Sequence, residues 1–529
     1  GLSNKLTGGF LWNDWSIRSE LDVLQSESFE NDTSTQLNQF YSFRSSIIKS
    51  SDKFTSGLNY NSELSRFNNN DTVLFQSYKF NSYDAFIKST DTSKIQYQLK
   101  VGQRIDNRPK NNGFKKATIG RNITFDSRYA KNSFQRIAFN TTFRQLEIKD
   151  STLSSKEIEN TLQSRIELDL HLFKRFIRSK TFYQIGTGQE QRREFQYLQV
   201  QSGNGIYIWN DYDSNGLKTL NEFELASELD KARADYIKIF TPVAGFITTN
   251  STKVTQTLEL NPAVFISKNA KKKAFIGRFN SFSTLMIDKK VLPRLATFLI
   301  NPLNEGVEDT SLINQSQNFR TTLFFNRGNS KYSLDYTFLS GNSKVLLTNG
   351  FDSRLSQSHV FKGRYSLSRL ITVSAKGSFG NKIYLSEFFG NRIYDYDYFE
   401  IQPVVQLVLG TSHRIEIKSK IFDALNANIY GGEKSRNIEF GGEYRYTKAS
   451  KGALNIGMNF INVDYEGTSN STLGYELLRG LQNGANVTWK LNYQQTMSNN
   501  IQITISYDGR SSETSDVIHI GRVVARYLF

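Results

Sequence analysis

From Asn486 to Phe529 the chain alternates in polarity with a period of two. Val487, Trp489, Leu491 and Tyr493 occupy one parity and Thr488, Lys490, Asn492 and Gln494 the other, so a strand here has one apolar and one polar face. The turn-like cluster Met497-Ser498-Asn499-Asn500 separates it from a second strand. There Ile501, Ile503, Ile505 and Tyr507 alternate with Gln502, Thr504, Ser506 and Asp508. A third strand carries Val517, His519, Gly521, Val523, Ala525, Tyr527 and Phe529 on one parity, with Arg522 and Arg526 on the other.

The same alternation recurs upstream to Asn314, in Phe319 to Phe325, Tyr332 to Leu339, Val360 to Leu367, Ile371 to Phe379, Ile401 to Leu409, Ile415 to Ile421, Ile438 to Tyr446 and Leu454 to Tyr465. In the first 200 residues, Leu6 to Trp12 and Ile17 to Leu24 predict a hairpin around Asn13-Asp14. Phe40 to Ile48, Phe54 to Leu64, Val73 to Ile87, a strand through Ile95 to Val101, Phe134 to Ile148 and Ile158 to Phe176 follow. The last two exceed what a bilayer requires and are less apolar on one face. Residues 1–202 therefore read either as membrane strands or as an adjoining β-layer in water. The count is roughly 20 to 24 strands, with an even number expected for a bacterial single-chain barrel. No fixed repeat longer than a hairpin is visible, which disfavours a solenoid or propeller.

Composition narrows this to a class. The chain has 529 residues, no Cys, 6 Pro, 40 Phe, 26 Tyr and 4 Trp, with a mean hydropathy of −0.48. No apolar run approaches the ~18 residues of a membrane helix. Strands of about 10 residues that are apolar at every second position keep the average low and still cross a bilayer, with aromatics in girdles at the headgroup levels. The absence of Cys excludes thiol chemistry and Cys-based zinc sites. The net charge of +16 comes from Lys and Arg spread over polar parities and loops, such as Lys94, Lys100, Arg136, Arg144, Lys418 and Arg445. Spread charge is a solvated lumen or rim rather than a nucleic-acid patch, so nucleic acid is not an expected partner.

A final strand with terminal Phe529, Tyr527 two residues earlier, and Ala525 and Val523 on the same face resembles the C-terminal signal of Gram-negative outer-membrane β-barrels. The resemblance implies an outer-membrane location, outer-membrane lipids as surroundings, and reading of this strand by the barrel-assembly machinery. Independently, a last strand that pairs with the first leaves no open edge. Gly1-Leu2-Ser3-Asn4-Lys5 is not a secretory signal, so Gly1 reads as an internal boundary. Gly474 to Gly484 interrupts the last strands with a compact loop or short helical turn that folds into the lumen or caps a rim. With the other features it looks like the C-terminal part of large Bacteroidota outer-membrane proteins.

Asp211 to Glu222, in the sequence DYDSNGLKTLNE, resembles an EF-hand calcium loop, with Asp211, Asp213 and Asn215 at positions 1, 3 and 5, Gly216 at 6 and Glu222 at 12. Alternate oxygens point inward from a tight loop, Gly216 permits the bend, and Glu222 can close the site with two oxygens. Leu217 adds its carbonyl, and Thr219 ligates directly or through water. All-oxygen ligands favour Ca2+ over zinc or copper, while an Asx-rich turn without metal is the competing reading. Phe223, Ala226, Leu229 and Ala232 predict a short exiting helix over Glu222 to Ala234. The departure from EF-hands lies upstream, where Gly203 to Trp209 reads as a strand.

The expected fold is all-β: a large transmembrane antiparallel β-barrel with a small calcium-loop and helix insertion. It is divided into long strands over 1–202, the insertion over 203–250 and barrel strands over 251–529. His171, His359, His413 and His519 are far apart, and no nucleophile elbow or phosphate loop is present, so the chain is not read as an enzyme. Three functions stay open. One is a non-enzymatic component of an outer-membrane assembly, secretion or transport complex, partnered by envelope proteins or lipoproteins. The second is a stand-alone, anion-favouring solute channel, and the third a soluble β-rich surface adhesin.

Overall fold

The computed structural model describes all residues except 1, 32–33, 70–71, 91, 133, 155–158, 228, 266–272, 293–311, 348–349, 388, 449–450, 498–500, 514 and 528–529. The described residues form one 26-stranded antiparallel sheet. Three strands, Thr72–Val73, Tyr207–Trp209 and Phe223–Leu225, have only two or three residues. The long ones run up and down in sequence order, from Leu2–Trp12 paired with Trp15–Asn31 to Ile501–Ser512 paired with Ile518–Tyr527. The architecture is an all-β, antiparallel barrel sheet with little helix.

Rolling follows from one contact. Between Ile177–Gln199 and Ile518–Tyr527 lie thirteen strand spacings, roughly 60 Å in a flat sheet. Ser202, three residues past Gln199 and so within ~10 Å of it, accepts a hydrogen bond through its carbonyl from Arg522 Nη2 at 3.4 Å. The sheet therefore curls until its last strand meets the connection after Gln199. Direct pairing of the last strand with the first, expected from the sequence, is not formed among the described residues. Among the described residues each neighbour reverses direction and the long strands number twenty-three, so the two end strands run parallel.

The two faces differ as the alternation requires. On Tyr394–Leu409, Phe399, Ile401, Val405 and Leu409 are exposed on the outer parity, whereas Tyr396 and Glu400 are buried on the inner one. Register carries the outer set across neighbours, as in Val405 opposite Ile417 and Phe440 opposite Phe460. Earlier strands carry it too, with Ile87 opposite Leu99 and Leu99 opposite Phe125. Polar groups sit inside, including the ion pairs Lys418–Glu439 at 2.9 Å and Lys490–Glu443 at 2.7 Å.

Connections also differ between the two rims. One rim has mostly tight turns, such as Asn13-Asp14 and Gly410 to Ser412. The other carries the longer connections at 200–235, 387–393, 427–433 and 467–483. In the last of these, Thr472–Leu478 is a helix. Its N-cap Ser471 accepts from Gly474 N at 2.9 Å, and Arg479 closes it in the left-handed region at φ 55°. Leu473, Leu477, Leu478 and Leu481 pack on Tyr396, Phe422, Ala424, Ile461, Val463 and Tyr465 of the inner wall. Ser471→Ala removes the cap and is expected to cost about 1 kcal/mol, read as faster hydrogen exchange of the helix amides.

Several expectations are corrected. Val73 to Ile87 is not continuous: the chain turns at 74–77, where buried Ser77 Oγ accepts from Phe67 N at 2.9 Å, and resumes at Tyr78–Ser89. The strand ending at Phe176 stops at Leu172, because Phe173, Lys174 and Arg175 take positive φ. The helix expected over Glu222 to Ala234 is absent among the described residues. In its place are a 3-10 turn at Leu220–Glu222, the strand Phe223–Leu225 and a 3-10 turn at Lys231–Arg233. Helical spacing loses here because Phe223 stacks on Tyr197 at 4.1 Å and packs edge-on against Tyr236 at 4.9 Å, while Phe223–Leu225 pairs with Tyr207–Trp209. The segment outside the main ladder spans 200–235, and from Tyr236 the chain is back in the sheet.

Candidate functional site: an acidic loop on a docked insertion

The loop of Asp211 to Glu222 connects the two short strands of the insertion, so their pairing, Trp209 opposite Phe223, brings its two ends together. Ser214 at φ 57° and Gly216 at φ 71° give the bend. Asp211 Oδ2 accepts from Gly216 N at 2.9 Å, and its Oδ1 accepts from Asn215 N at 3.1 Å. Glu222, 1% exposed, is fixed by Trp209 Nε1 at 3.0 Å and Thr219 N at 2.9 Å. Oxygens of Asp211, Asp213 and Glu222 thereby lie within 4.8 Å of one another.

Three carboxylates so close repel one another. Lost solvation, with the charges of Glu222 and Asp211, holds Asp213 above its ordinary value despite the Asn215 N–H. Burial pushes Glu222 up, but the Thr219 and Trp209 donors outweigh it and keep its carboxyl below its ordinary value. The chemistry suits a hard divalent cation, whose charge would relieve the repulsion. Asp211, Asp213 and Glu222 are the residues brought together. Asn215 joins them by donating through Nδ2 to Asp213 Oδ2 at 2.7 Å, while its Oδ1 accepts from Leu217 N at 2.6 Å and Thr219 Oγ1 is bonded to Asn221.

Behind the loop, two buried carboxylates dock the insertion onto the connections at 387–393 and 467–483 and onto the inner face of Ile501–Ser512. Glu224 accepts from Arg392 Nη2 at 3.0 Å, Thr472 Oγ1 at 2.8 Å and Tyr212 OH at 3.1 Å. Asp230, 2% exposed, accepts from Ser227 Oγ at 2.9 Å, Tyr475 OH at 2.8 Å and Arg510 Nη1 at 3.1 Å. Burial and the neighbouring Asp230 push the Tyr475 phenol up, so it stays protonated and donates. Tyr212 belongs to the acidic loop, so loop and lock share a residue. None of Glu224, Asp230, Arg392, Tyr475 or Arg510 was singled out from the sequence, because their partners stand as far as 280 residues apart.

On the last strand, Val523, Ala525 and Tyr527 face outward opposite Ile505, Ile503 and Ile501; Phe529 lies outside the described residues. The histidines do not converge. Nδ1 of His359, His413 and His519 bonds the hydroxyls of Tyr336, Tyr444 and Tyr507 respectively, and His171 lies 3.4 Å from Asp169.

No family model and no curated protein matches the chain. Solved structures do. The FrpB iron transporter of Neisseria meningitidis in its apoprotein form matches at 9% identity over 94% of this chain and 76% of that one, with TM-score 0.36. A double mutant of the ferric enterobactin receptor PfeA of Pseudomonas aeruginosa matches at 8% identity over 93% and 74%, with TM-score 0.32. The outer membrane transporter YddB of Escherichia coli matches at 9% over 99% and 74%, also with TM-score 0.32. At these values the superpositions assign neither ligand nor role.

Proposed function

We propose that the chain is an integral outer-membrane β-barrel acting as a non-enzymatic component of an assembly, secretion or transport complex, with a calcium-pinned insertion docked on its inner wall. The carrying observation is the outer parity: neighbouring strands expose Phe399, Ile401, Ile417, Ile438, Phe440 and Phe460 while ion pairs face inward. A water-soluble protein would leave that contiguous apolar surface wet, whereas a bilayer covers it. Outer-membrane lipids are the first partner. The barrel-assembly machinery is the second, through Val523, Ala525, Tyr527 and Phe529. Envelope proteins or lipoproteins meet the rim that carries the long connections. The insertion supports a complex component over an open pore, because buried Glu224 and Asp230 tie it to the connection at 387–393 and to the inner face of Ile501–Ser512.

A second reading, an anion-favouring channel, is supported by adjoining inner cavities. One shares Lys382, Tyr396 and Arg479 with its neighbour, which shares Arg320, Thr322 and Phe324 with the next. Native purification in mild detergent followed by bilayer recording separates the two. Co-purifying proteins without conductance support the complex component, and steady anion-selective conductance supports the channel. A chain that stays dispersed in plain buffer and ignores liposomes removes both.

Calcium is tested separately. Purified protein is expected to carry about one Ca2+ per chain by elemental analysis. Asp213→Ala and Glu222→Ala should weaken its binding on the order of 100-fold, since each removes a charged ligand from a three-carboxylate set. Metal-free wild type that gives no calcium heat on titration would rule out the site.

A further inference from the structure

Between the docked insertion and the inner wall lies a cavity of about 520 Å³, within the size range of small-molecule sites. Six of its lining side chains are cationic and three are carboxylates. Each carboxylate is engaged: Glu224 with Arg392, Glu476 with Lys382 at 2.6 Å, and Glu439 with both Lys418 and Lys420 at 2.9 and 3.7 Å. Arg354 lies 5.2 Å from the Tyr384 ring centre, and Arg479 reaches out of the cavity to Glu400, which already holds Lys376. The wall is therefore short of negative charge.

A second observation concerns one donor. Arg392 is only 7% exposed, and while its Nη2 serves Glu224, its buried Nε has no hydrogen-bond partner. That N–H is sealed within the wall, so what Arg392 offers the cavity is its charge, only one part of which Glu224 offsets. Tyr394, Tyr396 and Tyr475 add ring faces to the same wall, the hydroxyls of Tyr396 and Tyr475 being held by Glu476 and Asp230.

We propose that this cavity binds a small multivalent oxyanion, with Arg354 and Lys420 as its countercharges. The proposal goes beyond the role in a complex or channel, because binding in detergent solution requires neither. Titration of the full chain with inorganic pyrophosphate, and separately with citrate, in metal-depleted buffer of low ionic strength is the test. Saturable one-site binding of pyrophosphate alone supports a phosphate-bearing ligand, of citrate alone a polycarboxylate, and of both the oxyanion class as a whole. Arg354→Gln with Lys420→Gln should weaken binding at least tenfold. One-site binding of neither anion overturns the proposal, as does unchanged affinity in the double variant.

Discussion

Arg392→Met is expected to release the insertion, at a cost of about 3 to 5 kcal/mol in its docking. Removing one member of a buried pair strands the other, and Glu224 would keep only the Thr472 and Tyr212 hydroxyls. Arg392 also reaches the Phe223 carbonyl at 3.4 Å, so one substitution loosens both the carboxylate and the strand that follows the acidic loop. Because the long sheet ladder does not depend on this contact, global unfolding is the wrong readout. Local opening should rise on the order of 100- to 5,000-fold, seen as hydrogen exchange and proteolysis confined to 203–235. Combining it with Glu224→Leu should restore most of the protection, since an apolar pair of similar volume removes the uncompensated charge. If the single variant leaves exchange in 203–235 unchanged, the ion pair does not hold the insertion.

Such locks explain which parts of the protein were legible in its sequence. On the short-turn rim, strand ends came out nearly right: Phe325, Tyr332, Ile371 and Leu409 are both expected and observed ends. On the other rim several came out short, although Leu454 to Tyr465 reached within one residue of its observed end at Glu466. Ile401 to Leu409 is really Tyr394–Leu409, and Ile371 to Phe379 is really Ile371–Ser386. The reason is a change of parity. On Gly452–Glu466, Leu454, Ile456, Met458 and Phe460 face outward, and then Ile461, Val463 and Tyr465 turn the apolar residues inward, beneath helix Thr472–Leu478. Tyr394, Tyr396 and Tyr398 do the same before Phe399 and Ile401 resume the outer pattern. That reversal was the available signal for a docked element on the inner wall. Strands such as Gly113–Asn132 were missed because Arg121 and Ser127 share the outer parity with Ile123 and Phe125. The three carboxylates of the acidic loop were legible because their geometry is local. The lock of Glu224 and Asp230 was not, because only the rolled sheet brings Arg392 and Arg510 to them.

Ile417→Arg is expected to destabilise the membrane-embedded protein by about 2 to 4 kcal/mol, the cost of a cation at the middle of a barrel's lipid face. Ile417 is 43% exposed, and its outer-face register runs from Val405 on one side to Gly442 on the other. Phe399 and Leu409 mark the two ends of the apolar band on the adjacent strand, which places Ile417 close to its centre. Gln406→Arg, on the inner parity of that strand, points into water and should change stability by no more than about 0.5 kcal/mol. Denaturant titration of both variants folded into lipid vesicles measures the difference. In a protein surrounded by water the order would vanish, because an exposed isoleucine replaced by arginine is then an ordinary surface change. Equal stabilities would therefore remove the bilayer from the outer face of the sheet, and with it the outer-membrane proposal, while leaving the acidic loop and the docked insertion to be judged by their own tests.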